Sequence, residues 1–186
     1  MSSLPIRRSD RFQSTFPGQS FSIPQAISIL DAVLSGLAAA HEAGIVHRDL
    51  KPANIFLVKS DDDDVGWLAK VLDFGIAKLK AGGGNPALTK AGTVLGTPSY
   101  MSPEQCKGVT ELDARSDIYS LAVVLYQALT GKLPFTSDSI MEVMIAHVTT
   151  PPTPPIEHNP KLSPHLNDVL MKALESPTAS KICAPQ

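Results

Sequence analysis

The stretch His47-Arg48-Asp49-Leu50-Lys51-Pro52-Ala53-Asn54 decides how this chain is read. It fills each fixed position of H-R-D-L-x-x-x-N, a pattern with a mechanism: an acid orients a hydroxyl, and an amide oxygen further on holds a metal ion. So short a match can mislead, and its surroundings carry the weight. Apolar Ile55-Phe56-Leu57-Val58 follows, then an acidic turn at Asp61-Asp62-Asp63-Asp64, then Val71-Leu72-Asp73-Phe74-Gly75, and later Ser102-Pro103-Glu104.

In order and spacing these stretches resemble the catalytic loop, the metal-binding Asp-Phe-Gly and the Ala-Pro-Glu motif of the protein kinase family, with Ser102 where alanine is usual. The resemblance runs from about Phe21 to Glu175. It implies a mainly α (α+β) architecture: the large helical lobe of a protein-kinase-like fold with a short catalytic β-hairpin. Residues 1–20 then form a poorly ordered tail, 21–175 the large-lobe portion of the domain, and 176–186 a C-terminal tail.

The local signals agree with that division. Ser22 and Gln25 form an S-x-x-Q capping box, and Pro24 is tolerated in a first turn. Ile23, Ile27, Leu30, Leu34, Leu37 and His41 recur at helical spacing, and Gly44 ends the helix. Ile55–Val58 and Leu68–Leu72 read as a hairpin around the catalytic residues. Ser116 is expected to cap a helix that runs to Thr130, with Gly131 past its end; apolar residues from Ile118 to Leu129 surround it, so it should be central. Ile140–Val148 reads as a short amphipathic helix with Met141 and Met144 as packing residues, Pro151–Pro155 as a rigid extended connector, and Pro164–Glu175 as a last helix.

Composition limits the class. With 43% hydrophobic and 18% charged residues among 186, the chain can bury a core, and a formal charge of -2 gives no footprint for nucleic acid or an anionic membrane. Cys106 and Cys183 are far apart and make no metal-ligand spacing, which predicts reduced thiols. Arg7, Arg8 and Arg11 ahead of the apolar run Ala26–Ala40 superficially suggest a signal peptide, but Asp31 interrupts the run and its period is helical. No stretch reaches the length of about 18 apolar residues of a membrane span. A cytoplasmic chain is expected. The four aspartates at 61–64 lack the glycine of an EF-hand loop and read as a solvated turn, and His158 and His165 show no metal partners.

By resemblance, Asp49 accepts or orients the proton of a substrate hydroxyl. Lys51 neutralises the transferred phosphoryl group, Asn54 and Asp73 hold magnesium, and Phe56 lies in the floor of the ATP cleft. Lys51 after the catalytic acid, with Gly96-Thr97-Pro98 before Ser102, is similar to the serine/threonine-specific kinases of bacterial type, in which Thr97 would bond the Asp49 and Lys51 pair. His47 and Phe74, the latter beside Gly75, pack as supports. Arg48 implies a site ordered by phosphate on the segment holding Thr89 and Thr93. Asp117 has two readings: the acid that holds the catalytic-loop backbone, or a helix-start acid favoured by the dipole.

The residues before Ser22 show no G-x-G-x-x-G-x-V and no V-A-I-K-like lysine, so the small lobe is expected to be missing and Phe56 to lie in an exposed apolar patch. Ser176–Lys181 offers no arginine to pair with Glu104, which would be costly if Glu104 were buried alone. The reading is therefore a serine/threonine protein kinase acting on protein substrates with ATP and magnesium, inactive or nearly so as an isolated chain. The alternative is a non-catalytic interaction module, or a remnant, that binds another kinase or a separate small lobe.

Overall fold

The computed structural model describes residues 22–59, 67–73 and 98–175. Among these, the helices are α1 (Ile23–Glu42), α2 (Pro103–Cys106), α3 (Ala114–Thr130), α4 (Ile140–Thr149), α5 (Pro155–His158) and α6 (Pro164–Ala173), and the strands are β1 (Ile55–Lys59) and β2 (Trp67–Val71). This is the mostly helical architecture with one small hairpin that the motifs imply. Asp61–Asp64, Phe74, Gly75, Thr89, Thr93 and Thr97 lie outside the described residues.

α1 begins as its sequence dictates. The Gln25 amide donates to Ser22 Oγ at 3.4 Å, and the Ser22 amide donates to Gln25 Oε1 at 3.2 Å. Past its end Gly44 adopts φ +73°, a left-handed conformation that a Cβ would strain, and its N–H bonds the His41 carbonyl at 2.9 Å. The buried face is Ala26, Ile29, Val33 and Leu37. Of the expected stripe, Leu37 is buried, Ile23 and Leu30 pack partly buried against the core and His41 reaches Asp117, but Ile27 and Leu34 are 39% and 37% exposed. α1 is apolar on nearly every side, so periodicity identifies the helix without fixing its rotation. By length and hydropathy alone α1 would also cross a membrane, contrary to the sequence expectation; here it packs against β2 and α3.

β1 and β2 pair antiparallel from Ile55↔Val71 to Lys59↔Trp67. Alternation turns Ile55 and Leu57 into the core with Leu50. Phe56 points the other way, yet it is only 9% exposed, so the apolar patch expected there is not formed.

α3 is the post on which the rest is mounted. Leu121, Val124 and Ala128 meet α1 and β1, while Tyr119, Ala122, Val123, Leu125, Tyr126 and Leu129 meet α6 and the loop at Leu162. Its N-cap is Asp113, whose side chain accepts from the Arg115 amide at 2.8 Å. The cap expected at Ser116 is thus three residues too late, because Asp113 also satisfies the N-cap preference and leaves Ser116 free to act inside the first turn. Gly131 ends the helix at φ +72°. The Tyr126 hydroxyl donates to the Thr153 carbonyl at 2.9 Å and fastens the proline-rich connector. That connector is not extended throughout, since Pro155 opens the short helix α5.

On α4, Met144 is buried, but Met141 is 53% exposed and does not serve the core. His147 is 2% exposed and sits between Tyr119 and Phe135. Burial pushes its imidazole down from 6.5 to about 4, opposed in part by the backbone of Ser99 and Pro98.

The unfolded chain therefore takes up a proton at His147 as pH falls below 6.5, whereas the folded chain refuses it until about 4. The contribution of neutral His147 is fully present above that window and is lost as pH falls through it, by at most about 3 kcal/mol. Urea unfolding at pH 7 and pH 5 should show a steeper loss of stability in the wild type than in His147→Phe. Parallel losses would place the acid sensitivity elsewhere.

Candidate functional site

The loop between α1 and β1 is built around one carboxylate. Asp117, in the first turn of α3, is 1% exposed. Its Oδ2 accepts from the His47 amide at 2.8 Å and from His41 Nε2 at 2.7 Å, and its Oδ1 accepts from the Arg48 amide at 2.9 Å. Charge-assisted bonds of this kind are worth roughly twice neutral ones.

Between these anchors Arg48 takes φ +65°. A non-glycine residue there stores about 1–3 kcal/mol and persists only if its surroundings over-determine it. They do: the Arg48 amide is held by Asp117, and its carbonyl accepts from Gln105 Nε2 at 2.8 Å. The buried Arg48 Nε has no hydrogen-bond partner among the described residues.

His47, fully buried, braces the next turn. Its Nε2 lies 2.9 Å from the Leu72 carbonyl, and its Nδ1 accepts from the Asp49 amide at 3.3 Å. A carbonyl can only accept and an amide N–H can only donate, so the ring carries its proton on Nε2. His47 thereby ties the loop to the residue before Asp73.

Asp49, Lys51 and Asn54 converge. Lys51 Nζ donates to Asp49 Oδ2 at 3.1 Å, with both side chains about a quarter exposed at 22% and 24%. Asn54 Nδ2 donates to the Asp49 carbonyl at 2.8 Å and reaches its Oδ2 at 3.5 Å. With its nitrogen so committed, Asn54 presents Oδ1 as a carbonyl oxygen. The Leu72 amide donates to the Asn54 carbonyl at 2.9 Å, and the pairing of Ile55 with Val71 puts Asn54 and Asp73 at the same end of the hairpin. Asp73 is exposed and, like Arg48, left-handed, at φ +56°.

An amide oxygen and a carboxylate at one hairpin end are hard oxygen donors of the kind magnesium takes, so these residues fit that ion. Among the described residues no group of three or more His, Cys, Asp or Glu gathers as a metal site. The remaining ligands of such an ion would come from phosphate and water, as is usual for magnesium.

The segment before α3 supports the loop from below. Ser102, fully buried, caps α2: its amide donates to Gln105 Oε1 at 2.9 Å, and the Gln105 amide donates to Ser102 Oγ at 3.4 Å. Alanine could not accept that second bond. Glu104 is half-buried and not alone, since Ser116 Oγ donates to its Oε1 at 2.6 Å. The unpaired carboxylate considered from the sequence is thus answered by a hydroxyl. Cys106 is half-buried, and burial, then the Glu104 charge, pushes its thiol up to about 12, so it is a poor nucleophile.

The structure therefore gathers His47, Arg48, Asp49, Lys51, Asn54 and Asp117 into one bonded unit, with Asp73 adjacent and Glu104 joined through Ser116. Phe56 is buried on β1, facing away from Ile55 and Leu57. Sequence reasoning missed His41, Gln105 and Ser116 as supports. His41 was visible only as the last member of a helical stripe, and nothing local marks Gln105 as a partner of a loop carbonyl.

The chain matches the family described as protein kinase domain over residues 7–186. It is 46% identical to serine/threonine-protein kinase Pkn3 of Myxococcus xanthus over 162 residues, which is 84% of this chain and 29% of that protein. It is 44% identical over 161 residues to Pkn1 of the same organism, covering 87% of this chain and 22% of the relative. With serine/threonine-protein kinase PknB of Mycolicibacterium smegmatis the identity is 45% over 150 residues, covering 81% and 23%. The chain thus spans between 22% and 29% of the length of these curated relatives.

Asp117→Asn is expected to destabilise the fold by about 3 kcal/mol, because an amide can accept on one side only and must turn its NH2 toward a backbone N–H. Urea unfolding should show this against a change below about 1 kcal/mol for the partly exposed Asp49→Asn. Equal losses for the two variants would contradict the assignment of Asp117 as the anchor.

Proposed function

The chain belongs to the protein kinase domain family, and from that premise we propose that it carries the large-lobe catalytic machinery of a bacterial-type serine/threonine protein kinase. The reaction is phosphoryl transfer from ATP to a serine or threonine hydroxyl of a protein. The observation that supports it best is the Asp49, Lys51 and Asn54 cluster, held on a strained, doubly clamped turn.

Such transfer is governed by positioning and charge rather than by covalent chemistry with the protein. Magnesium-bound ATP, when present, supplies the phosphoryl group. Asp49 accepts a hydrogen bond from the substrate hydroxyl and aligns its oxygen. Lys51, 3.1 Å from Asp49, places a positive charge where negative charge gathers. Asn54 Oδ1 and the Asp73 carboxylate hold magnesium at the hairpin end. By the family resemblance Thr97 would bond the Asp49 and Lys51 pair, in keeping with serine/threonine selectivity, while Phe56, only 9% exposed, offers little surface to a nucleotide.

Arg48 has a guanidinium nitrogen without a partner among the described residues, which supports its reading as a receptor for phosphate on Thr89 or Thr93. The buried apolar face of α1 supports its role as a core helix of a cytoplasmic domain.

A magnesium-dependent phosphorylation assay with ATP and a pool of serine- and threonine-containing peptides tests the proposal. Asp49→Asn should lower transfer by about 100-fold or more while keeping the wild-type urea midpoint. A folded wild-type chain that transfers nothing, or a fully active Asp49→Asn, would overturn it.

A further inference from the structure

One side-chain amide in the segment before α3 is shared between two elements. Gln105, at the third position of α2, accepts from the Ser102 amide on Oε1 at 2.9 Å, and on Nε2 it donates to the Arg48 carbonyl at 2.8 Å, 57 residues back along the chain. The two ends are not interchangeable, because the Ser102 N–H can only donate and the Arg48 carbonyl can only accept. Capping needs the first bond alone, since the box at Ser102 is closed by Oε1 and by the Gln105 amide, which donates to Ser102 Oγ at 3.4 Å. The nitrogen end has no part in it.

We propose that Gln105 is a positioning residue: through Nε2 it fixes the peptide group between Arg48 and Asp49, and thereby sets where the Asp49 carboxylate stands. That peptide group is gripped at both edges. Its oxygen is the one that Gln105 holds, and its N–H, on Asp49, donates to His47 Nδ1 at a longer 3.3 Å. A planar peptide turns its oxygen and its N–H together, so the shorter bond governs both. Beyond Asp49 the next carbonyl is fixed by Asn54 Nδ2 at 2.8 Å. Asp49 is thus suspended between two peptide groups, and α2 decides the orientation of the first.

The grip is firm because α2 is itself anchored. Ser102 and Pro103 are buried, and Glu104, the residue before Gln105, accepts from Ser116 Oγ on α3 at 2.6 Å. α3 therefore reaches the loop between α1 and β1 by two routes, directly through the Asp117 carboxylate and indirectly through Glu104 and Gln105. The first route holds Arg48 by its amide and the second by its carbonyl, which pins the left-handed residue on both sides. That a displaced Asp49 slows phosphoryl transfer rests on the kinase reading; the grip on its peptide group does not.

Two substitutions separate the halves of the amide. Gln105→Glu keeps an oxygen for the Ser102 amide and sets a second oxygen against the Arg48 carbonyl, whereas Gln105→Lys keeps a donor for that carbonyl and gives up the acceptor. Amide hydrogen exchange in the full chain reads each half. Gln105→Glu should accelerate exchange at Asp49 about fivefold or more, the worth of one hydrogen bond, with Ser102 and the α3 amides unchanged; Gln105→Lys should do the reverse, releasing Ser102 and sparing Asp49. In phosphorylation assays with magnesium, ATP and serine- and threonine-containing peptides, Gln105→Glu should lower kcat about 10- to 100-fold with KM for ATP nearly unchanged, and Gln105→Lys should recover most of the wild-type kcat. Turnover that follows the Ser102 amide, or equal losses in both variants, would overturn the proposal and leave Gln105 a helix cap only. Should Gln105→Lys not fold, Gln105→Glu decides alone, since unchanged exchange at Asp49 refutes the grip. Absence of transfer by the folded wild type would instead refute the kinase reading, leaving exchange at Asp49 to judge Gln105.

Discussion

A single buried carboxylate sets the geometry of this lobe. Asp117 is taken out of water by α3 and is tolerable there because three donors meet it, from the His47 and Arg48 amides and the His41 ring. Removing water from such bonds strengthens them, and removing one partner leaves a charge exposed to an apolar interior. The loop between α1 and β1 has no regular secondary structure to satisfy its own amides before the turn at Pro52. Asp117 supplies what a helix or sheet would otherwise provide.

That dependence explains why α3 is apolar on so many sides. Its two faces pack against separate clusters, one with α1 and β1, the other with α6 and Leu162. A helix fixed on both sides cannot rock, so a carboxylate on its first turn is a stationary reference for the loop above. The hairpin adds a second constraint, since pairing of Ile55 with Val71 fixes the spacing of Asn54 and Asp73 along the chain of contacts from Asp49.

Much of this was legible in the sequence, and the failures have physical causes. The capping box at Ser22, the stop at Gly44, the hairpin and the end of α3 at Gly131 are decided by neighbouring residues, and local chemistry read them. The rotation of α1 is decided by what it packs against, and a helix with apolar residues all round does not disclose it. The start of α3 was misplaced because Asp113 and Ser116 are both competent caps, and the choice follows from the demand of Glu104 for the Ser116 hydroxyl. Phe56 was read as an exposed floor because the small lobe was expected to be missing, yet it is only 9% exposed. Asp49, Lys51 and Asn54 were found by pattern; Gln105, His41 and Ser116 were not, because each serves a partner more than ten residues away with no spacing rule to announce it.

The left-handed turn at Arg48 has a bearing on how such a protein would fail on heating. A residue held at φ +65° is a loaded spring whose restraint is two hydrogen bonds rather than a packed core. Hydrogen-bonded loops open at lower free energy than apolar clusters. Once the Asp117 or Gln105 contact lapses, the turn relaxes toward ordinary backbone angles and carries Asp49 with it, while α3 and its neighbours remain assembled. Loss of the aligned loop would then precede melting of the lobe, and the temperature at which the site fails would be a property of that one turn.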